Sequence, residues 1–246
     1  MESFSNPIMK AQYNTSFYTR KELESFGFKY LGDNVLISRL ARIYTPERMS
    51  IGNCVRIDDC AILSGAISLG QFIHISAHTN ITGGNGKDSS VSMGDFCSLS
   101  LGSRILSVSD DLSGSMLSNS CVDAKYRHII ASHIHLPGHN HIGAMSLILP
   151  RTIFNIGANL GPQSLVCDTT LKAYGYYFGS PARLLKNLDS KQIQTLESQF
   201  LRDIAASKKV MGGGDRETLI YPPYSLSHKR AMPFAVSCPT PLKEAV

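Results

Sequence analysis

Aliphatic residues recur at every sixth position through most of the chain. The longest run comprises Ile51, Ile57, Leu63, Leu69, Ile75 and Ile81, followed after Lys87 by Met93, Leu99 and Ile105. A second run comprises Ile130, Leu136, Ile142, Ile148, Phe154, Leu160 and Val166, and a short one comprises Leu31, Ile37 and Ile43. Neither an amphipathic helix nor a simple alternating strand repeats at this interval, so the period predicts a different architecture.

A three-sided coil accounts for a period of six. Each hexapeptide supplies one short strand and one corner, its aliphatic residue points inward, and three hexapeptides complete a coil of 18 residues. Successive coils stack at the inter-strand spacing of about 4.8 Å. Small residues that permit tight corners often follow the aliphatic ones, as in Ile51-Gly52 and Leu160-Gly161. The pattern therefore predicts an all-β chain that forms a left-handed parallel β-helix.

Three segments depart from the repeat. The period breaks at residues 106–129, and this Ser-, Asp- and Gly-containing stretch is predicted to be a loop extruded from a β-helix that spans 31–186. Loops of this length are uncommon in a compact domain unless they are functional. Residues 1–30 form an N-terminal cap segment with a short helix from Tyr18 to Phe26. Residues 187–246 are expected to contain a closing helix from Asp189 to Lys208 and an extended tail beyond Gly212.

Composition narrows the functional classes. Apolar residues make up 43% and charged residues 17% of the chain, as expected for a globular protein. No stretch approaches the roughly 18 apolar residues of a membrane span. The net charge of +5 is dispersed and gives little support for nucleic-acid binding. The six cysteines are scattered without a C-x-x-C pair, which indicates a reducing compartment, and we expect the cytoplasm.

Several motifs combine with the repeat in a specific way. They are the IG-x4 hexapeptides, IHISA at 73–77, SDDLSG at 109–114 in the extruded loop, and GSPAR at 179–183. With these motifs, residues 17–186 resemble the hexapeptide-repeat acyltransferase family. The chain is most similar to its galactoside and maltose acetyltransferase branch and to the bacterial acetyltransferases of cell-surface sugars.

The resemblance implies a homotrimer whose active sites lie in grooves between neighbouring prisms. It also implies acetyl-CoA as cosubstrate, bound along the later coils, and a hydroxyl or amino group of a sugar or nucleotide-linked sugar as acceptor. Such an enzyme would act in bacterial surface-polysaccharide biosynthesis. Two features differ from the family. The catalytic histidine of the galactoside branch is absent from the body of the loop, where His128 stands only at the end, and a Gly-Ala pair of the late coils is Gly161-Pro162 here.

Acyl transfer needs a base for the acceptor's proton, and histidine is the usual one. His74 ends its hexapeptide at a corner, and one and two 18-residue coils further on stand Ser92 and Asp110. This spacing predicts that the three residues form a column along one edge. We therefore predict His74 as general base, with Asp110 or Asp111 orienting it or holding the acceptor, and His78 as the alternative base.

Four further histidines, at 133, 135, 139 and 141, resemble a metal-binding cluster. In carbonic anhydrases of the same fold, histidines share a zinc across the trimer interface. Residues six apart lie on adjacent faces of the prism, however, so no three of the four converge within one chain. The sequence therefore predicts no metal site within one chain, and a solvated tract or phosphate contacts are favoured.

The coenzyme is expected to use small residues and nearby cations. An extended pantetheine would contact backbone groups along a flat face, and the phosphates would meet basic side chains after the last coil. The predicted cofactor-binding residues are Gly143, Ala144, Gly161, Pro162, Gly179, Arg183 and Lys186, and Arg151 is a weaker candidate.

Three functions remain open at this point. The first is an acetyl-CoA-dependent sugar acetyltransferase. The second is a zinc-dependent hydratase similar to carbonic anhydrase. The third is a non-catalytic trimeric scaffold, because a repeat by itself specifies no chemistry.

Overall fold

The computed structural model of the protein describes residues 17–210, with side chains described through residue 205. Short strands follow one another from Tyr30 to Asn187. The first twelve strands are β1 (Tyr30–Leu31), β2 (Leu36–Ile37), β3 (Arg42–Tyr44), β4 (Met49–Ile51), β5 (Val55–Ile57), β6 (Ile62–Ser64), β7 (Ile67–Leu69), β8 (Ile73–Ile75), β9 (Asn80–Thr82), β10 (Ser90–Met93), β11 (Ser98–Leu99) and β12 (Arg104–Leu106). The next two are β13 (Val108–Asp110) and β14 (Ile129–Ala131). The last nine are β15 (His133–Leu136), β16 (His141–Ile142), β17 (Leu147–Ile148), β18 (Ile153–Phe154), β19 (Asn159–Leu160), β20 (Leu165–Val166), β21 (Thr170–Leu171), β22 (Gly175–Gly179) and β23 (Ala182–Asn187).

The strands form the three faces of a prism. The first face has the order β1-β4-β7-β10-β15, the second β2-β5-β8-β11-β16-β19-β22-β23, and the third β3-β6-β9-β12-β17-β20. Strands β18 and β21 pair with each other. Neighbours within a face are parallel, except that β22 and β23 form an antiparallel hairpin that ends the stack. The predicted left-handed parallel β-helix is confirmed.

The interior consists of the aliphatic residues of the repeat. The nine such residues from Ile51 to Ile105 are at most 3% exposed, and those from Leu136 to Val166 are buried to the same degree. Alternate residues of a strand point to opposite sides, so the intervening side chains face outward. The outward residues of each face are therefore stacked in columns, one residue per coil, and these columns can carry chemistry.

Two insertions change which residues are stacked. Leu69 pairs with Met93, 24 residues later, because residues 83–89 form a turn outside the prism. Met93 in turn pairs with Leu136, because a hairpin is extruded between them. The six-residue insertion preserves the phase of the repeat but places the hexapeptides of Met93, Leu99 and Ile105 one face earlier than an uninterrupted repeat would. The predicted column of His74, Ser92 and Asp110 is therefore wrong.

Two helices accompany the prism. Helix α1 (Arg20–Glu24) is shorter than predicted and begins with a capping box formed by Thr19 and Glu22. Helix α2 (Ser190–Val210) lies close to its predicted bounds. Among the described residues, neither helix is long and apolar enough to cross a bilayer. The predicted tail beyond Gly212 lies outside the described residues.

Helix α2 contacts the corner between the first and second faces. Phe72, Phe96 and His139 occupy this corner in successive coils, each with a left-handed backbone conformation. Their rings stack, with centroids 5.0 and 5.1 Å apart. Phe200 of α2 packs edge-on against Phe72 at 5.2 Å, and Glu197 Oε2 lies 3.0 Å from His139 Nε2. This corner is thus covered, whereas the surface of the second face beside it carries an exposed polar column.

Candidate active site

The second face carries a polar column of outward side chains, one from each coil. In order along the prism these residues are Arg56, His74, Ser98, His141, Asn159 and Tyr176. We call this set the outer column. Adjacent members are separated by about 4.8 Å because they belong to neighbouring parallel strands.

His74 in the outer column is bonded to a carboxylate. Its Nε2 lies 2.7 Å from Asp58 Oδ2, and Arg56 Nε donates to Asp58 Oδ1 at 2.6 Å. Burial alone would raise the pKa of Asp58, but the hydrogen bonds from His74 and Arg56 outweigh it and lower that pKa. An ionised carboxylate that fixes a 42%-exposed imidazole is the arrangement expected of a general base and its orienting group.

His141 occupies the outer column two coils further on. Ser98 Oγ is hydrogen-bonded to its Nδ1, and Ser100 Oγ lies 3.4 Å from its Nε2. Burial among these neighbours lowers the pKa of His141 below its ordinary value. The neutral imidazole is therefore favoured at neutral pH. Sequence reasoning placed His141 only in the histidine tract, because the length of the extruded segment is needed to identify its serine partners.

The extruded segment is a hairpin whose neck holds the predicted aspartates. Strand β13 pairs antiparallel with β14, and two ion pairs cross the neck just beyond them. Arg127 Nη2 donates to Asp110 Oδ1 at 2.8 Å, and His128 Nδ1 lies 2.9 Å from Asp111 Oδ2. Because the hairpin leaves from the end of the third face, neither aspartate contacts His74 within the described chain. Within one chain the group that orients His74 is therefore Asp58, not Asp110 or Asp111 as predicted. The alternative predicted role of these aspartates, to hold the acceptor, stays a prediction.

The two neighbouring aspartates differ in their remaining capacity for hydrogen bonds. Asp111 accepts from His128 with one oxygen and from the Ser113 backbone N–H with the other, at 2.8 Å. The hydrogen bonds from His128 and then Ser113 lower the pKa of Asp111 to about 2. In Asp110 only Oδ1 is engaged, and across residues 17–205 no donor reaches Oδ2. Asp110 is thus the aspartate with an unengaged oxygen for a ligand's N–H.

His78, the alternative base, lies at the corner that follows the second face. It is exposed, and its φ of 59° is in the left-handed region. Its backbone N–H donates to the carbonyl of Asp59 in the preceding coil. The structure does not bring it together with the outer column.

The predicted pantetheine contacts lie at the same type of corner in the later coils. The N–H groups of Gly143 and Gly161 donate to Leu160 and Tyr177 of the next coils, so both are already used. A Cβ atom at Gly143 would lie 2.4 Å from the carbonyl carbon of Gly161, so stacking of the coils explains this glycine. In the described part of the chain, the Ala144 N–H and the Pro162 carbonyl make no backbone hydrogen bond.

The remaining predicted contacts lie on the closing hairpin. Gly179 is the last residue of β22, and its N–H donates to Ser164 Oγ at 3.2 Å. Arg183 and Lys186 are exposed on β23. The Lys186 ammonium lies 5.8 Å from the ring centroid of Tyr176, the last member of the outer column. The outer column therefore ends beside Lys186, and Arg183 lies opposite Phe178 in the same hairpin; such cations suit the phosphates of a coenzyme.

The four-histidine tract does not converge. His133 and His135 lie on the first face, hydrogen-bonded to Ser90 and Ser92 at 2.8 and 2.7 Å. His139 is at the covered corner and His141 is on the second face. No group of three or more metal-ligating side chains occurs among the residues described.

Comparisons with known proteins identify acyltransferases. No family model matches the chain. The dTDP-4-amino-4,6-dideoxy-D-glucose acyltransferase of Escherichia coli is 35% identical over 182 residues, which are 73% of this chain and 92% of that protein. AntD, an N-acyltransferase from Bacillus cereus, has been solved with dTDP and 3-hydroxybutyryl-CoA. That structure is 37% identical, with a TM-score of 0.74, and the match covers 78% of this chain and 99% of AntD.

A mutant of AntD has been solved with dTDP-4-amino-4,6-dideoxyglucose and coenzyme A. It matches with 35% identity and a TM-score of 0.71, over 77% of this chain and 98% of AntD. These relatives are matched over nearly their whole length, so the similarity extends over the prism and is not confined to a single motif.

Proposed function

The chain belongs to the hexapeptide-repeat acyltransferases, and from this membership we propose that it acylates the 4-amino group of a dTDP-linked 4-amino-4,6-dideoxyhexose with acyl-CoA as donor. The observation that carries the proposal is the 35–37% identity to two relatives whose names specify this acceptor or N-acyl transfer. Membership of the family makes the chain an enzyme and excludes the purely structural scaffold as its role.

The reaction forms one amide bond and breaks one thioester bond. The acceptor nitrogen attacks the thioester carbonyl carbon, the carbon–sulfur bond breaks, and the sulfur leaves with a proton as the free thiol. The proton lost by the amine goes to a base. In our proposal this base is His74, oriented by Asp58, and Asp110 Oδ2 accepts a hydrogen bond from the acceptor's amino group.

The coenzyme is proposed to lie along the later coils beside the outer column. The Ala144 N–H and the Pro162 carbonyl offer backbone hydrogen bonds, the absence of side chains at Gly161 and Gly179 leaves room for the pantetheine, and the exposed cations of β23 would bind the phosphates. Acetyl-CoA is the proposed donor. The relative solved with 3-hydroxybutyryl-CoA makes a longer acyl group the alternative.

We propose a homotrimer with an active site between neighbouring copies. Support comes from the separation of the two proposed groups within one chain. His74 lies on the second face, whereas Asp110 lies on the hairpin that leaves from the third. A site containing both groups requires the hairpin of one copy to reach the second face of another.

The proposed setting is the cytoplasmic synthesis of a surface polysaccharide. Two features of the chain support it. The acceptor class is an activated sugar of the kind used for polymer synthesis, and Cys60, Cys97, Cys121 and Cys167 are free thiols, as expected in a reducing compartment.

A thiol-release assay tests the function. Purified protein is incubated with acetyl-CoA or 3-hydroxybutyryl-CoA and dTDP-4-amino-4,6-dideoxyglucose, and the product is identified by mass spectrometry. We expect thiol release and an amide product with the amino sugar and none with dTDP-glucose, which lacks the amine. Absence of turnover with both donors would overturn the proposal, and only stoichiometric zinc together with carbon dioxide hydration would favour the hydratase alternative.

A further inference from the structure

Arg127 is a charged residue at the hairpin neck that the proposed chemistry has not used. It stands two residues before β14, and Asp110 is the last residue of β13. Asp110 and Ile129 are partners in the register of the two strands, so Arg127, two residues before Ile129, lies diagonally across the neck from Asp110. The ion pair has an N–O distance of 2.8 Å, and the Arg127 side chain is 16% exposed.

The position of the Arg127 side chain lowers the stability of the fold. Its Nε is buried and has no hydrogen-bond partner among the residues described. A buried, unsatisfied donor on a charged group destabilises a fold. An apolar side chain would fill this position without that cost, so the stability of the neck does not explain the guanidinium, whereas its contact with Asp110 does.

The contact leaves the Asp110 carboxylate half engaged. Arg127 binds Oδ1 alone, although a guanidinium often binds both oxygens of a carboxylate. The β13–β14 register fixes the Asp110 backbone, and the ion pair fixes the direction of its side chain. The position of Oδ2 is thereby fixed as well, and this oxygen remains able to accept a hydrogen bond from a ligand's N–H. Asp111 is less suited to this role, because both of its oxygens already accept hydrogen bonds, whereas Oδ2 of Asp110 accepts none among the residues described.

We propose that Arg127 is the positioning residue for Asp110: by holding Oδ1 it presents Oδ2 to the amino group of the acceptor. This inference rests on the proposed function, since it assumes an amine acceptor at Asp110. Arg127 itself does not contact the acceptor in this proposal and acts on it only through the Asp110 side chain.

A double-mutant cycle tests the inference. We compare the wild type with R127M, R127K, D110N and the double variant R127M/D110N. Misplacement of a reacting group by about 1 Å lowers rates by about 100-fold, so we expect R127M to lower kcat/KM for the amino sugar by about 10- to 100-fold. The KM for acyl-CoA should not change. R127K, which keeps a cation at the neck, should recover part of the loss.

The cycle distinguishes positioning from folding. If Arg127 acts through Asp110, R127M in the D110N background should cause little further loss, since interacting residues are non-additive. H128Q serves as the matched control, because it breaks the other ion pair of the neck, and it should cost less than about threefold.

Each outcome bears on one of the two proposals. An active wild type with R127M equal to it, or with losses from R127M and D110N that simply multiply, overturns the role of Arg127 and leaves the function standing. Equal losses in R127M and H128Q also overturn it, because they would indicate general loosening of the hairpin. A wild type without amino-sugar turnover overturns the proposed function, and this inference with it.

Discussion

At the scale of single residues, stacking determines chemistry more than proximity in sequence does. His74 was predicted to lie at a corner, but the structure places it in the middle of β8, with its side chain on the outside of the second face. Its neighbours in the structure could also have been predicted from the sequence, because Arg56 stands one 18-residue coil before His74 and Asp58 stands two residues after Arg56. The prediction instead used the coils that follow His74 in the sequence and selected Ser92 and Asp110. A six-residue insertion in these coils shifts the register, so neither residue is stacked on His74.

Substitution of the His74–Asp58 pair tests the base. A general base contributes about 10²- to 10⁴-fold to the rate, so His74→Gln should lower kcat by that range with the fold intact. Asp58→Asn should lower kcat less, because the imidazole remains but loses its carboxylate. Steady-state kinetics with the amino sugar, together with circular dichroism, provide the measurement. Equal kcat in wild type and His74→Gln would show that another group accepts the proton.

The pKa of His141 gives a pH dependence of stability. Burial lowers that pKa in the folded protein, so below about pH 6.5 the unfolded chain binds the proton more readily. The contribution to stability is present above the unfolded pKa and is lost as the pH falls toward the folded one. Urea unfolding should therefore show a steeper loss of stability on acidification in wild type than in His141→Gln. Parallel pH profiles of the two proteins would contradict this.

At the scale of elements, the repeat predicted the strands well, and the insertions determined the pairing. A six-residue insertion leaves the hexad phase unchanged, so Met93 remains a core residue although it is stacked on Leu69 and not on Ile75, which stands 18 residues before it. No local signal distinguishes such an insertion from a regular hexapeptide except the absence of an aliphatic residue at Lys87. The break in the period likewise predicted an extruded segment. Its antiparallel neck could not be predicted from the period, because it depends on contacts between residues about 20 positions apart.

Coil stacking makes Gly143 sensitive to substitution. In Gly143→Ala the new Cβ would meet the backbone of Gly161 and Pro162 at 2.4 Å, which requires the coils to separate locally. Overpacking of this kind costs about 3 kcal/mol, and we expect that decrease in the free energy of unfolding. Gly114→Ala is the control, because a Cβ there meets nothing within 4 Å and only its left-handed φ of 86° opposes it, at about 1 kcal/mol. Similar losses in the two variants would mean that the corner relaxes easily.

At the scale of the whole molecule, one copy presents only part of the proposed site. The outer column and the cations of β23 are on one side, and the Asp110 hairpin leaves from another. The sequence predicted a trimer only through family resemblance, because the periodicity specifies the inward side chains of the prism and not the contacts of its outer surface. The exposed apolar side chains of the corner after the second face are the features that suggest where copies meet. Leu101 is 51% and Met145 is 57% exposed, and the Met145 N–H donates to the Leu101 carbonyl at 2.9 Å.

A charge placed at this corner tests whether the site is shared between copies. Met145 directly follows Gly143-Ala144, so an interface here would border the proposed pantetheine path. We expect wild type to sediment at three times the 26.9 kDa of one chain, and Met145→Glu to sediment as a single chain without acyl transfer, because burying an unpaired carboxylate in an interface is strongly unfavourable. Leu185→Glu, a change of the same kind at a 65%-exposed position on β23, should remain trimeric. Full activity in a monomeric Met145→Glu would place base, acceptor contact and coenzyme in one chain, and the hairpin would then have to reach its own second face.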